Sequence, residues 1–373
     1  MISVESSPQP TVLVVDDEAG PRDALKVILR PFFTIRAAEN AKSALDVLNN
    51  EPIDLITLDQ RLPDRHGLDL LNDIKHGHPD VEVVIVTGYG SLKSAMEGIR
   101  QGAAGYLLKP FNVTELITLT QQTMDKKRRL DFLRRNLRSS PKLWGTGEQQ
   151  TRAWDAIKSE YFTLYVNAGG DAVFQEEEMS LVPLLSDILE ATDRHLLNHS
   201  SRVSFYATLM AARLNLTVAE QKSLAMGAFL HDIGKTSFPA YRFSEDQILP
   251  SGEPIVCTEH CERGAHLATT LGLSKEVHDI IAYHHERWDG HGYPYRLSGT
   301  NIPVLARIVG IAQAFDHLTA DAPGRVCLSA EAAIQRISLS SGSHFDPQLL
   351  DTFIEVAKES AASLPTMAVT PAA

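Results

Sequence analysis

Between Thr11 and Phe111 short apolar runs alternate with stretches of helical period. The runs Val12 to Val15, Leu55 to Leu58 and Val83 to Val86, with a fourth from Tyr106 to Leu108, lack the strict apolar–polar alternation of a half-buried strand. They predict strands covered on both faces, as in a parallel sheet between helical layers. An α/β, doubly wound domain is expected over residues 10–125. From Met179 the period changes, and LVPLLSDILEATDRHLL and VSFYATLMAARLNL space their apolar residues three and four apart. That spacing predicts an all-α bundle over residues 179–358, followed by a flexible tail at 359–373.

A connector helix is expected over 112–140. Asn112 and Glu115 have the spacing of a capping box, and Leu116, Leu119, Leu130, Leu133 and Leu137 keep a three–four spacing. That stripe suits either packing on the domain's own sheet or a homodimer seam, whereas the basic run from Lys126 to Arg138 reads as a solvated face. Ser139-Ser140-Pro141, Gly145 and Gly147 end the helix. Residues 141–178 form a linker without an assigned role, with one helix, a strand-like aromatic run from Tyr161 to Val166, a Gly169-Gly170 turn and acidic Glu176 to Glu178.

Composition narrows the classes. With 373 residues, 43% hydrophobic and 22% charged, the chain can bury two cores and is not a disordered protein. A net charge of −12 argues against direct DNA binding through a broad basic surface. No apolar stretch reaches the roughly 18 residues that cross a bilayer. The three cysteines, Cys257, Cys261 and Cys327, suit a reduced compartment. A cytoplasmic protein without membrane insertion is expected, its sensor being a separate chain.

The strand ends carry chemistry. Asp16 and Asp17, then Asp59, then Thr87, and finally Lys109 all fall at the C-terminal edge of the predicted sheet, where open α/β folds bind ligands. Three carboxylates suit Mg²⁺, and one can accept a phosphoryl group whose oxygens Thr87 and Lys109 would meet. The segments LVVDDE (13–18), LDQRLPDRHG (58–67), VTGYGS (86–91) and LLKPF (107–111) resemble a response-regulator receiver domain. The resemblance implies Asp59 as phosphoacceptor, Mg²⁺ on Asp16, Asp17 and Asp59, Tyr106 as the switching aromatic beside Thr87 and Lys109, and a sensor histidine kinase as partner.

Histidine marks the second chemistry, since eleven of the fourteen lie between His195 and His344. His199, His231-Asp232, His260 and His284-His285 combine imidazole and carboxylate, which suit borderline divalent ions such as Fe, Mn or Zn, and paired ions activate water for attack on phosphorus. Lys235, one turn past His231, could neutralise a phosphate. His195 is balanced between further ligand and neighbour; His266, His278, His317 and His344 read as ordinary surface or hydrogen-bonded histidines, and Cys257 and Cys261, which flank His260, as packing residues ahead of a weak zinc signal.

HSSRV (199–203), HDIGK (231–235), HHERWDGHGYP (284–294), IPVLARIVGIA (302–312) and HFDP (344–347) together resemble the HD-GYP family. The resemblance implies a cyclic di-GMP phosphodiesterase with two or three Fe or Mn ions on His199, His231, Asp232, His260, His284 and His285, and His195 is a candidate ligand of a third ion. It also implies Lys235 as a substrate and catalytic contact, and Arg287, Asp289, Gly290, Gly292, Tyr293 and Pro294 as a signature loop that can meet a protein partner. Arg307 is expected to touch substrate. One position departs: where the family has a metal-binding aspartate this sequence has Gln313, with Asp316 three residues later as a substitute. Two functions follow, a phosphodiesterase controlled by phosphorylation of Asp59, or a silent cyclic di-GMP receptor or interaction module disarmed at Gln313. The segment Thr236 to Cys257 also departs from the family text.

Overall fold

The computed structural model describes residues 9–88, 91–139, 141–144, 147–167, 181–238, 256–320 and 327–363. The expected Gly169-Gly170 turn, the acidic Glu176 to Glu178, Tyr89, Gly90, Gly145 and most of the segment after Thr236 lie outside them. The chain divides into two compact units, Met1–Arg129 with Leu164–Gly170 and Leu130–Thr163 with Asp171–Ala373.

In the first unit, strands β1 (Thr11–Val15), β2 (Thr34–Ala38), β3 (Leu55–Leu58), β4 (Glu82–Thr87) and β5 (Gly105–Leu108) form a sheet of order β2-β1-β3-β4-β5, every neighbouring pair parallel. Strand period two divides the apolar side chains between the faces. Val12 and Val14 pack with Leu25 and Leu29 of α1 (Ala19–Leu29) and Leu116 of α5 (Val113–Ser139). Leu13 and Val15 pack with Ala44 and Leu48 of α2 (Ala41–Asn50) and Leu70 and Ile74 of α3 (Gly67–Gly77). With α4 (Leu92–Arg100), this is the expected doubly wound α/β architecture. The strand the apolar runs did not mark is β2, an edge strand whose Arg36 and Ala37 stay exposed, so no continuous run announces it.

Asn112 caps α5 by accepting from Thr114 N at 2.8 Å. Leu116, Leu130 and Leu133 of the proposed dimer seam are 0–1% exposed within the single chain, and so cannot pair with a second copy in this conformation. The linker reading of 141–178 also changes. Glu148–Asn167 is a helix, α6, and the strand-like run from Tyr161 lies inside it. Tyr161 is fully buried and donates to Asp187 Oδ2 at 2.8 Å, so packing overrides the β preference of aromatic residues. Gln150 accepts from His266 Nε2 at 2.7 Å and Thr270 Oγ1 at 3.1 Å, tying α6 into the second unit.

The second unit is helical, as expected: α7 (Val182–Thr192), α8 (Arg194–Arg213), α9 (Val218–Leu230), α10 (Val256–Thr270), α11 (Lys275–Tyr283), α12 (Val304–Thr319), α13 (Ala330–Ser338) and α14 (Pro347–Ser363). Its core runs through Val203 and Met210 of α8, Leu224 and Ala228 of α9, Ile280 of α11, Ile308 and Phe315 of α12 and Phe353 of α14. Polar caps set the starts. Thr217 and Glu220 form a reciprocal capping box at α9, and Ser274 caps α11. Among the described residues no helix is long and apolar enough to cross a membrane.

Candidate functional site

Two clusters fall where the strand ends and the histidines pointed. At the sheet edge, Asp16, Asp17 and Asp59 bring carboxylate oxygens within 4.8 Å of one another. Lys109 donates to Asp16 Oδ2 at 2.6 Å and Asp59 Oδ2 at 2.7 Å. Burial pushes the Asp16 carboxyl up against the pull of Lys109. Burial works to lower the Lys109 ammonium, but the two carboxylates outweigh it and hold it up. Thr87 is fully buried at the end of β4, and Tyr106 is half-buried with its hydroxyl 3.1 Å from Ser94 Oγ. All the residues read from the strand ends therefore share one edge, where an acidic, oxygen-only pocket with one fixed cation fits Mg²⁺.

In the second unit, packing one turn earlier places the histidines. A Cβ on Gly227 of α9 would lie 2.4 Å from Ile280 Cδ1 of α11, so the helices cross closely there. One turn later each helix ends, delivering His231 and His284 with ring centroids 5.0 Å apart. Gly234 performs the same service for α10, since a Cβ there would sit 1.9 Å from His260 O. Only glycine lets the turn after His231-Asp232 approach the backbone that carries His260.

Asp232 is the centre of the cluster. Its Oδ2 lies 3.4 Å from His231 Nε2 and 3.7 Å from His199 Nε2; its Oδ1 lies 3.2 Å from His260 Nε2 and 3.8 Å from His284 Nε2. Each oxygen thus faces its own histidine pair. His199 Nε2 is 3.2 Å from His231 Nε2, and His260 Nε2 is 3.3 Å from His284 Nε2. Lys235 Nζ approaches Asp232 Oδ2 at 2.5 Å. Burial would raise the Asp232 carboxyl, but Lys235 and the adjoining histidines hold it well below the usual range.

The outer nitrogens are tied off. His231 Nδ1 donates to Ala228 O at 2.7 Å, His284 Nδ1 to Ile281 O at 2.9 Å and His199 Nδ1 to Asp316 Oδ2 at 2.7 Å. These partners only accept, so the hydrogen sits on Nδ1 and each Nε2 lone pair turns inward. Burial pushes His231 down to about 3 and lowers His284 and His285 as well, leaving neutral imidazoles at pH 7. Asp232 Oδ1 faces the ring nitrogens of His260 and His284, and the buried Gln313 Oε1 has no hydrogen-bond partner. Ring nitrogens and carbonyl or carboxylate oxygens converging in a buried pocket fit divalent metal ions.

Several expectations change. Asp316 is not a substitute ligand, because it accepts from His199 Nδ1 and from Arg202 Nε at 2.6 Å. Arg307 is braced by Asp346 Oδ2 at 2.5 Å and Ile302 O at 2.9 Å, and lines a pocket with His284. His195 is exposed one turn from His199 and belongs to neither histidine group. His317, read as ordinary, stacks on His199 at 4.7 Å. Cys261, read as packing, lies in one group with His260, His284 and His285. Gln313 does reach the cluster, with Nε2 3.5 Å from His285 Nδ1.

The signature loop borders the cluster. Tyr293 stacks on His285 at 4.7 Å, and Arg287 grips Asp289 through two bonds of 3.1 and 2.7 Å. Gly290 has φ +80, and a Cβ on Gly292 would meet Arg287 N at 2.3 Å, so both glycines serve the turn as expected. Sequence reading missed Glu286, whose carboxylate accepts from Tyr295 N at 2.7 Å and Leu297 N at 2.9 Å and pins the loop beyond Pro294. An acid directly after the histidine pair was its one signal.

The family model for the response regulator receiver domain matches residues 12–121, and that for the HD domain residues 183–349. A probable cyclic di-GMP phosphodiesterase of Vibrio cholerae is 29% identical, over 95% of this chain and 79% of its own. A cyclic di-GMP phosphodiesterase of Thermotoga maritima is 28% identical, over 94% and 91% of the two chains. The cyclic di-GMP phosphodiesterase response regulator RpfG of Xanthomonas campestris is 27% identical, over 92% and 86%.

Proposed function

Because this chain belongs to the response regulators that join a receiver domain to an HD domain, we propose that phosphorylation of Asp59 controls hydrolysis of cyclic di-GMP in its second unit. The observation that carries the reading is Asp232, one buried carboxylate whose two oxygens face separate histidine pairs. His199 and His231 would hold one Fe or Mn ion, and His260, His284 and His285 a second, with Asp232 between them. When bound, such ions supply Lewis acidity to the phosphodiester and lower the pKa of a water.

The chain's own groups do the rest. Lys235 keeps Asp232 ionised and, with its side chain about a quarter exposed, is placed to meet a phosphate oxygen. Asp316 and Arg202 hold His199 in its orientation. Tyr293 and the Arg287–Asp289 pair shape the loop over His285, and that loop is also the surface on which a protein partner would act. In the receiver, Asp16, Asp17 and Asp59 would hold Mg²⁺ while a cognate sensor histidine kinase supplies the phosphoryl group. Helix α5 runs unbroken from the first unit into the second and would carry the bias between them.

A silent receptor is disfavoured by the amide that prompted it, because Gln313 is buried at the cluster, with its Nε2 3.5 Å from His285 Nδ1 and its Oε1 without a hydrogen-bond partner. The test is cyclic di-GMP hydrolysis by anaerobically purified protein with Mn²⁺ or Fe²⁺. Turnover in wild type, abolished in His231→Ala/Asp232→Ala, is expected. Silence in wild type with activity gained in Gln313→Asp would establish a disarmed enzyme instead.

A further inference from the structure

The pocket that holds Gln313 also holds a thiol. Cys261 is fully buried on α10, and its Sγ lies 3.5 Å from His260 Nε2. Ligand atoms of Cys261, His260, His284 and His285 all fall within 4.8 Å of one another. Around a tetrahedral ion with nitrogens at about 2.0–2.1 Å and sulfur at about 2.3 Å, neighbouring ligand atoms lie roughly 3.3–3.6 Å apart. The His260–His284 separation of 3.3 Å and the His260–Cys261 separation of 3.5 Å match that spacing. Independently, Gln313 Oε1 is buried without a hydrogen-bond partner, and Asp232 Oδ1 faces the ring nitrogens of His260 and His284, so oxygen donors adjoin the same group.

We propose that Cys261 is a thiolate ligand of the ion held by His260, His284 and His285, supplying the negative charge that Gln313 cannot. On binding, the Sγ–H proton leaves to solvent and a sulfur–metal bond forms. A thiolate in the set tilts the choice of ion from Mn towards Fe or Zn, because soft sulfur ligands favour those ions. This inference rests on the metal-dependent reading of the second unit, and its test separates the two.

The metal-free full-length protein is loaded with Co²⁺, cobalt uptake is measured by elemental analysis, and the near-ultraviolet spectrum is recorded. Thiolate ligation gives an intense sulfur-to-cobalt charge-transfer band that nitrogen and oxygen ligands lack. The band is expected in wild type, in Cys257→Ser and in Cys327→Ser, and is lost in a Cys261→Ser protein that still takes up cobalt. X-ray absorption of the Zn²⁺-loaded wild type should show a sulfur scatterer at about 2.3 Å, a reading that needs no variant to fold. Cobalt bound to wild type beyond the one equivalent the receiver edge can hold but without the band, or a band that disappears in Cys257→Ser and not in Cys261→Ser, overturns the thiolate while leaving the metal site standing. Absence of cobalt uptake by wild type beyond that equivalent overturns both.

Discussion

The receiver edge and the histidine cluster both gather acidic and basic groups, but they assemble them in opposite ways. At the edge, each residue follows its strand in sequence, and parallel pairing alone brings Asp16, Asp59 and Thr87 side by side. In the helical unit, His199, His231, His260, His284 and Gln313 come from helices or helix ends far apart in the chain. There the contacts that unite them are made elsewhere, at Gly227 against Ile280 and Gly234 against His260. The edge keeps Asp17 exposed and Lys109 in direct ion pairs, which suits a phosphoryl group that comes and goes. The cluster is buried, with three imidazoles fixed by outer hydrogen bonds, which suits ions that stay. A surface site built by sheet order tolerates exchange, whereas a site built by packing trades exchange for fixed geometry.

The largest expected effect tests whether the two sites are separable. His231→Ala/Asp232→Ala should reduce hydrolysis to background and strip bound metal, while Asp59 still accepts a phosphoryl group from a small acyl phosphate. Loss of phosphorylation in the double variant would break the comparison. Next is Asp316→Asn, which leaves His199 with a weaker outer partner. Metal affinity should fall on the order of 10–100-fold, measured by competition with a chelator, and an unchanged affinity would remove Asp316 from the support of the site.

Within any one pH unit, a smaller effect separates the sites by pH. The folded pKa of His231, about 3, lies below its ordinary value, so between about 6.5 and 3 the unfolded chain binds a proton that the folded chain refuses. Stability of the metal-free second unit is therefore whole above about 6.5 and declines as pH falls through that window, by up to about 1.4 kcal/mol per pH unit for one proton. Denaturant titrations at several pH values should show this slope, flattened in His231→Asn. Smallest is Gly234→Ala, expected to cost about 1–3 kcal/mol through the clash with His260 O and to lower the midpoint of the second unit's thermal transition alone. A variant as stable as wild type would mean that α10 can give way, and the close approach would not be what fixes His260.

Much of this was legible along the chain because the relevant physics is local. Apolar runs ending in Asp16, Asp59 and Thr87 specify a sheet edge, and the helical period with adjacent His231-Asp232 and His284-His285 specifies a histidine-bearing bundle. Where local preference misled, packing had overridden it, as in α6, whose aromatic run reads as a strand until Tyr161 is seen buried against Asp187. The edge strand β2 was silent for the converse reason, since half-exposed residues leave no apolar run.

The sequence by itself determined the two fold classes and the residues able to bind metal or phosphate, while the departure at Gln313 was legible only against the family it resembles. Only the tertiary structure decided which candidates meet. It drew Cys261 and Gln313 into the cluster, left His195 outside, and turned Asp316 from a substitute ligand into a brace held by His199 and Arg202, while Asp346 braces Arg307. The physical reason is that residue type and spacing fix what a side chain can bind, while its direction and distance from residues tens of positions away depend on how closely helices pack, and that closeness is set at glycines remote from the chemistry.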